Sequence, residues 1–196
     1  MAEMSPPESP LGPLHETMAQ TSREGAVVLR ESPFLTQVDL RGDPHDPRFL
    51  DGVEAALTIR PPVNANHVAV SGDLRILWLG PDEWLIVGPE GEQDRIRGDL
   101  EKTLAGQHHA VADVSAHRTV LEISGPRARD VLEKGCYLDL HPRAFGPGRC
   151  LGTIIAKTQV LLEQTDDTPS YRLYVRASYA RHLATWLLDA MAEYIR

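Results

Sequence analysis

The chain has 196 residues, 42% of them hydrophobic, with 20 Lys and Arg against 28 Asp and Glu, giving a formal net charge of −8. That length fits one domain or two small fused units, with enough apolar content to bury a core. The acidity opposes nucleic-acid binding, which rests on Lys and Arg neutralising phosphates, and no apolar run approaches the roughly 20 residues needed to span a bilayer.

Residues 1–24 carry Pro6, Pro7, Pro10 and Pro13 among Ser, Glu and Met. This composition predicts a flexible N-terminal tail that is disordered or held by a partner. No positive patch followed by an apolar run opens it, so no secretory signal is expected. The folded part is expected over 25–196. Ala26 to Arg30 and Thr36 to Leu40 read as strands. Asp46 to Leu57 places Phe49, Leu50, Val53 and Leu57 at helical spacing, with Asp46 as N-cap and Pro47 in the first turn. His67 to Leu79 reads as two strands turning at Ser71-Gly-Asp73, and Gly80-Pro81-Asp82 turns into a further strand, Trp84 to Val87. Gln93 to Leu104 is an amphipathic helix striped by Ile96, Leu100 and Leu104.

The remaining residues repeat this order. Val111 to Ser124 is strand-like, and Gly125-Pro126 opens a helix bearing Ala128, Val131 and Leu132. Asp139 to Gly148 is a loop, Thr153 to Leu162 a strand region, Thr165 to Ser170 a turn and Tyr171 to Val175 a strand. Ser178 is the expected N-cap of a last helix, Tyr179 to Tyr194. Leu85-Ile-Val87 parallels Leu173-Tyr-Val175, and Ile96, Leu100 and Leu104 parallel Leu183, Leu187 and Met191. The expected fold class is therefore α+β, a sandwich of two related strand-helix-strand-strand-helix units over about 25–106 and 107–196.

No residues assemble into a complete catalytic, cofactor or metal site. Asp113, Ser115 and His117 alternate along one predicted strand, so they could share a face. A hydrolase triad converges from separate elements, however, and no Gly-x-Ser-x-Gly elbow accompanies them. Gly146-Pro-Gly-Arg-Cys-Leu-Gly152 has Leu151 where a dinucleotide fingerprint needs glycine, and it lacks the Lys of a phosphate loop. It reads as a turn into the Thr153 strand. The adjacent His108 and His109 point apart, with no third ligand at metal-binding spacing. The acidic pairs Asp82-Glu83 and Asp166-Asp167 suit turns. Trp78, Trp84 and Trp186 suit a core or an interface equally. Cys136 and Cys150, the whole thiol inventory, are expected to be free in the cytoplasm.

Four stretches carry a family resemblance. Trp78-Leu-Gly-Pro-Asp-Glu-Trp84, Ser124-Gly-Pro-Arg-Ala-Arg-Asp-Val-Leu132, Asp139-Leu-His-Pro-Arg-Ala-Phe-Gly-Pro-Gly148 and Ser178-Tyr-Ala180 resemble the gamma subunits of heterotetrameric sarcosine oxidases. The resemblance spans roughly Glu31 to Tyr194. It implies a non-catalytic chain beside alpha, beta and delta partners, in an oxidase that demethylates sarcosine to glycine and reduces oxygen to hydrogen peroxide. The methyl carbon leaves as formaldehyde, or as methylene-tetrahydrofolate when tetrahydrofolate is a co-substrate. FAD, FMN and NAD are implied on the larger chains and zinc on the smallest. A related amine dehydrogenase, such as N-methylglutamate dehydrogenase, or a free-standing folate-binding one-carbon protein are the alternatives. The family is distantly similar to the folate-binding aminomethyltransferases, through Asp113-Val-Ser115 and Leu121 to Pro126. Thr153-Ile-Ile-Ala-Lys-Thr-Gln159 stands where those enzymes carry their folate-contacting turn and acidic pair, so folate is not expected on this chain.

Overall fold

The computed structural model describes residues 8–195. Ten strands form two five-stranded sheets, and every strand pair is antiparallel. The strands are β1 (Val28–Ser32), β2 (Thr36–Gly42), β3 (Val68–Ser71), β4 (Leu74–Gly80), β5 (Glu83–Gly88), β6 (His109–Asp113), β7 (Arg118–Ser124), β8 (Arg149–Ile155), β9 (Thr158–Asp166) and β10 (Ser170–Arg176). The helices are α1 (His15–Thr21), α2 (Pro47–Leu57), α3 (Gln93–Thr103), α4 (Ala128–Glu133) and α5 (Ala177–Met191). The first sheet runs β3-β4-β5-β2-β6 and the second β8-β9-β10-β7-β1.

These two orders are the same order. Each half of the chain runs strand-strand-helix-three strands-helix, which is one strand more at the start and one more between the helices than the pattern read from the sequence. Each half also gives its first strand to the other half's sheet: β1 pairs β7, and β6 pairs β2. The parallel between Leu85-Ile-Val87 and Leu173-Tyr-Val175 holds for the strands but not for the faces: Leu85 and Val87 point between the sheets, whereas Leu173 and Val175 point towards α5. Leu85 to Val87 lie on β5 and Leu173 to Val175 on β10, each the central strand of its five-stranded sheet.

Strand alternation sorts the core into three layers. Trp84 and Ile86 of β5 face α2 and α3, packing with Phe49, Val53, Ile96 and Leu100. Leu121, Ile123, Leu173 and Val175 face α5, packing with Leu183 and Leu187. The alternate residues Leu77, Leu85, Val87, Val120 and Tyr174 meet between the sheets. Helices therefore cover the two outer faces, and the sheets pack back to back.

Asp46 caps α2 as expected, accepting a hydrogen bond from the Arg48 backbone N–H at 3.0 Å, with Pro47 in the first turn. Ser178 does not cap α5: the N-cap is Arg176, whose side chain makes no capping bond, and Ser178 lies inside the first turn. The Val111 to Ser124 segment is two strands broken by a turn over 114–117. The Thr153 to Leu162 region is a hairpin whose turn residues, Ala156 and Lys157, have φ of 48° and 65°. Neither is the Gly, Asn or Asp that marks such a turn in sequence, so β8 and β9 read as one strand.

The flexible tail expected over 1–24 is corrected for the described part of it. Residues 12–21 form a 3₁₀ turn followed by α1. Leu11 is fully buried and Met18 nearly so, both in the α5-side core. The buried Glu31 carboxylate accepts Ser9 and Thr119 hydroxyls and contacts His15 Nε2 at 2.5 Å. Pro10 and Pro13 sit at the turn before the helix, where a missing N–H costs nothing. Pro6 and Pro7 lie outside the described residues.

Candidate functional site

Asp113, Ser115 and His117 do not form a reactive trio. Asp113 ends β6, whereas Ser115 and His117 lie in the following turn. The Ser115 hydroxyl donates to Asp113 Oδ1 at 2.6 Å and accepts the Gln37 backbone N–H at 3.0 Å. It ties the turn to β2. Among the described residues, the His117 ring bonds to neither partner.

The other candidates take structural places. Glu83 pairs with Arg41 at 2.8 Å, and Asp166 Oδ1 accepts the Thr168 N–H at 2.9 Å in the β9–β10 turn. His109 bonds the Gln107 carbonyl and the Glu101 carboxylate at 3.0 and 3.2 Å. With His108 and His45 it lines an open cleft of about 620 Å³. Among the described residues, no three His, Cys, Asp or Glu side chains converge as metal ligands. The glycine-rich stretch enters β8 at Arg149, four residues before the expected strand start, and the Val68 N–H donates to the Gly148 carbonyl there, tying the sheets together. Trp84 is fully buried and opposes Trp78 across β4 and β5. Trp186 packs so closely on Gly135 that a Cβ there would come within 2.6 Å of its ring.

Both cysteines are free. Burial pushes the Cys150 thiol up to about 12, with the Glu163 charge adding to the effect, and burial raises Cys136 as well. Thiolate is the reactive form. Native protein treated with iodoacetamide at pH 8 is therefore expected to keep Cys150 unmodified by mass spectrometry, with full alkylation only after denaturation.

Two polar clusters between the sheets escaped the sequence reading. In the first, the buried Glu163 of β9 accepts Arg75 Nε of β4 at 3.1 Å and the Tyr174 hydroxyl of β10 at 2.7 Å. Burial, and then the Glu163 charge, hold the Tyr174 phenol well above its ordinary value. This cluster links the two sheets and is largely buried.

The second cluster is open. Arg118 and Arg176 are opposite one another on β7 and β10. They alternate with Val120 and Tyr174, so both point to the inner face of the second sheet. With Thr153, Gln159, Leu161 and Tyr174 they line a cleft of about 410 Å³. Neither arginine has a salt bridge among the described residues. Burial, and then the Arg176 charge, lower the Arg118 pKa below the usual guanidinium value, while Asp39 and Glu83 attract it less strongly. One oxygen of Asp39, Oδ1, is buried with no hydrogen-bond partner among the described residues. His117 is held below its ordinary value by burial and then by Arg118 and Arg176. The arginines are 58 positions apart, so spacing gave no signal. The available signal was alternation: each is two residues from an inward residue of its strand.

Comparison with known proteins places this geometry. The chain matches the sarcosine oxidase, gamma subunit family over residues 41–193. It is 44% identical to a sarcosine oxidase subunit gamma from Arthrobacter sp., over 95% of this chain and 90% of that one. It is 40% identical to the corresponding subunit from Corynebacterium sp. strain U-96, over 90% and 84%. A chain of the heterotetrameric sarcosine oxidase from Corynebacterium sp. U-96, solved with pyrrole 2-carboxylate, superposes with a TM-score of 0.88 at 37% identity, covering 97% of both chains. The glycine cleavage aminomethyltransferase T from Bartonella henselae shares the fold at a TM-score of 0.65 and 17% identity, over 93% of this chain and 50% of that one.

Proposed function

The chain belongs to the sarcosine oxidase gamma subunit family, and from that premise we propose that it is the non-catalytic gamma chain of a heterotetrameric sarcosine oxidase, bound to alpha, beta and delta partners. The observation that carries this is the match to a chain of such an oxidase along 97% of both lengths. The assembled enzyme oxidises sarcosine with oxygen and water to glycine, formaldehyde and hydrogen peroxide, with methylene-tetrahydrofolate in place of formaldehyde when tetrahydrofolate is present. This chain supports assembly and stability.

FAD, FMN, NAD and zinc are assigned to the partner chains. The residues here do not suit a dinucleotide: the one glycine-rich stretch, 146–152, leads into β8, so no helix N-terminus stands behind it to hold a pyrophosphate. The cytoplasm is the proposed location. Both cysteines are free thiols, as a reducing compartment keeps them, and no helix among the described residues is long and apolar enough to cross a membrane.

Co-expression of the four chains with a tag on this one tests the reading. A flavin-coloured, four-chain complex with sarcosine-dependent peroxide release is expected, while the isolated chain is colourless and inactive. Flavin absorbance or peroxide from the isolated chain overturns the non-catalytic role. Saturable tetrahydrofolate binding to the isolated chain would favour a transferase.

A further inference from the structure

The inner face of the second sheet is not covered along its whole length. Beyond the Val120–Tyr174 layer, Gly152, Ile154, Gln159 and Arg176 are exposed around the two-arginine cleft. Ile154 is 36% exposed, and its carbonyl accepts the backbone N–H of Tyr137, which is 75% exposed. These are two of the five large hydrophobic side chains exposed among the described residues; Ile154 lines the cleft, and Tyr137 is its backbone neighbour.

Two features of this surface point to a partner. The first is charge. On a chain of net charge −8, two cations face each other across adjacent strands with no ion-pair partner among the described residues. Like charges opposite one another in a sheet are destabilising, and Arg118 is partly buried with Asp39 and Glu83 attracting it but no carboxylate at ion-pair distance among the described residues. An incoming carboxylate relieves both costs, and a guanidinium pair matches its planar geometry. The second feature is composition. Tyr, Arg and an exposed aliphatic side chain in one patch are what the centres of protein interfaces are made of. A small anion would account for the arginines and leave Ile154 and Tyr137 unexplained.

We propose that this cleft and its apolar rim are the surface that receives a partner subunit of the oxidase, through a segment that places an Asp or Glu carboxylate between Arg118 and Arg176 and apolar contacts on Ile154 and Tyr137. This rests on the gamma-subunit reading. The partner's carboxylate replaces the water that solvates the two guanidinium groups, and Arg118 gains an ion-pair partner beyond the weaker attraction of Asp39 and Glu83.

The test uses the co-expressed four-chain complex with a tag on this chain. R118A/R176A removes two mutually repelling charges, so the variant chain is expected to fold with an unfolding midpoint at or above the wild type. Its retention of the partner chains is expected to fall about thirtyfold, the effect of losing an interface hot spot. Wild-type retention should weaken with added salt and that of the variant much less. Arg48→Ala, at an exposed position on α2, is expected to leave assembly unchanged. Y137A/I154A is expected to weaken retention without altering its salt dependence. Retention equal to wild type by the folded arginine variant, at every salt concentration, overturns the proposal alone. So does saturable phosphate or acetate binding to the free chain that the arginine variant loses while still assembling fully. A wild-type chain that retains no partner overturns the gamma-subunit reading and this proposal with it.

Discussion

Trp84→Ala lowers the stability of the chain by about 3–5 kcal/mol, the range for truncating a large aromatic in a core, as read by urea denaturation of the isolated chain. Trp84 is fully buried on β5. Its ring lies 5.5 Å from that of Phe49 on α2, and its indole N–H donates to the Pro62 carbonyl at 2.8 Å. Truncation removes the contact between sheet and helix, and it leaves the partly buried Pro62 carbonyl without its donor. Trp84→Phe keeps most of the volume and loses the hydrogen bond, so it isolates that part at about 1–3 kcal/mol. Complexes that do assemble with Trp84→Ala are expected to keep nearly wild-type turnover per flavin. A variant that folds and assembles fully but loses turnover would show that the β4–β5 hairpin reaches the chemistry.

Glu163→Ala is expected to cost a similar amount, about 3–5 kcal/mol, for an electrostatic reason. The Glu163 carboxylate is nearly inaccessible, and the Arg75 side chain is only 14% exposed. Removing the acid strands a cation and the Tyr174 hydroxyl between the sheets. Replacing both ions with apolar residues of similar size, in R75M/E163L, is expected to recover most of the loss, because well-packed hydrophobes often equal a buried pair. Adding Tyr174→Phe removes the remaining unpaired donor. A double variant as unstable as Glu163→Ala would mean that the pair contributes through geometry that packing cannot replace.

The elements legible in the sequence are those with strong local grammar. Asp46-Pro47 marks a helix start whatever surrounds it, and Ser71-Gly-Asp73 turns the chain through a glycine at φ 57°. The α3 and α5 stripes repeat with helical period, which is why the internal duplication could be seen. The turn over 114–117 was hidden because Ser115 closes it with bonds to Asp113 and to the distant β2, and no Gly or Pro announces it. The α1 segment was misread because its helix depends on tertiary contacts. Seven residues would not hold a helix alone; the burial of Leu11 and Met18 and the Glu31 anchor supply what composition lacks. The Arg118–Arg176 cleft and the Glu163 cluster are products of register between strands far apart in sequence, and register is not written in either strand by itself.

The exchange of first strands has a consequence for how the chain is made. On the ribosome, the first half emerges with β2 lacking its neighbour until residues 109–113 appear, and β1 waits for residues 118–124. Synthesis at about 5–20 residues per second leaves that gap open for several seconds. During it, β2 offers an unpaired edge to any other nascent copy. The cross-over that locks the finished halves together thus makes the half-made chain sticky, and its safe production depends on how quickly the second half follows the first.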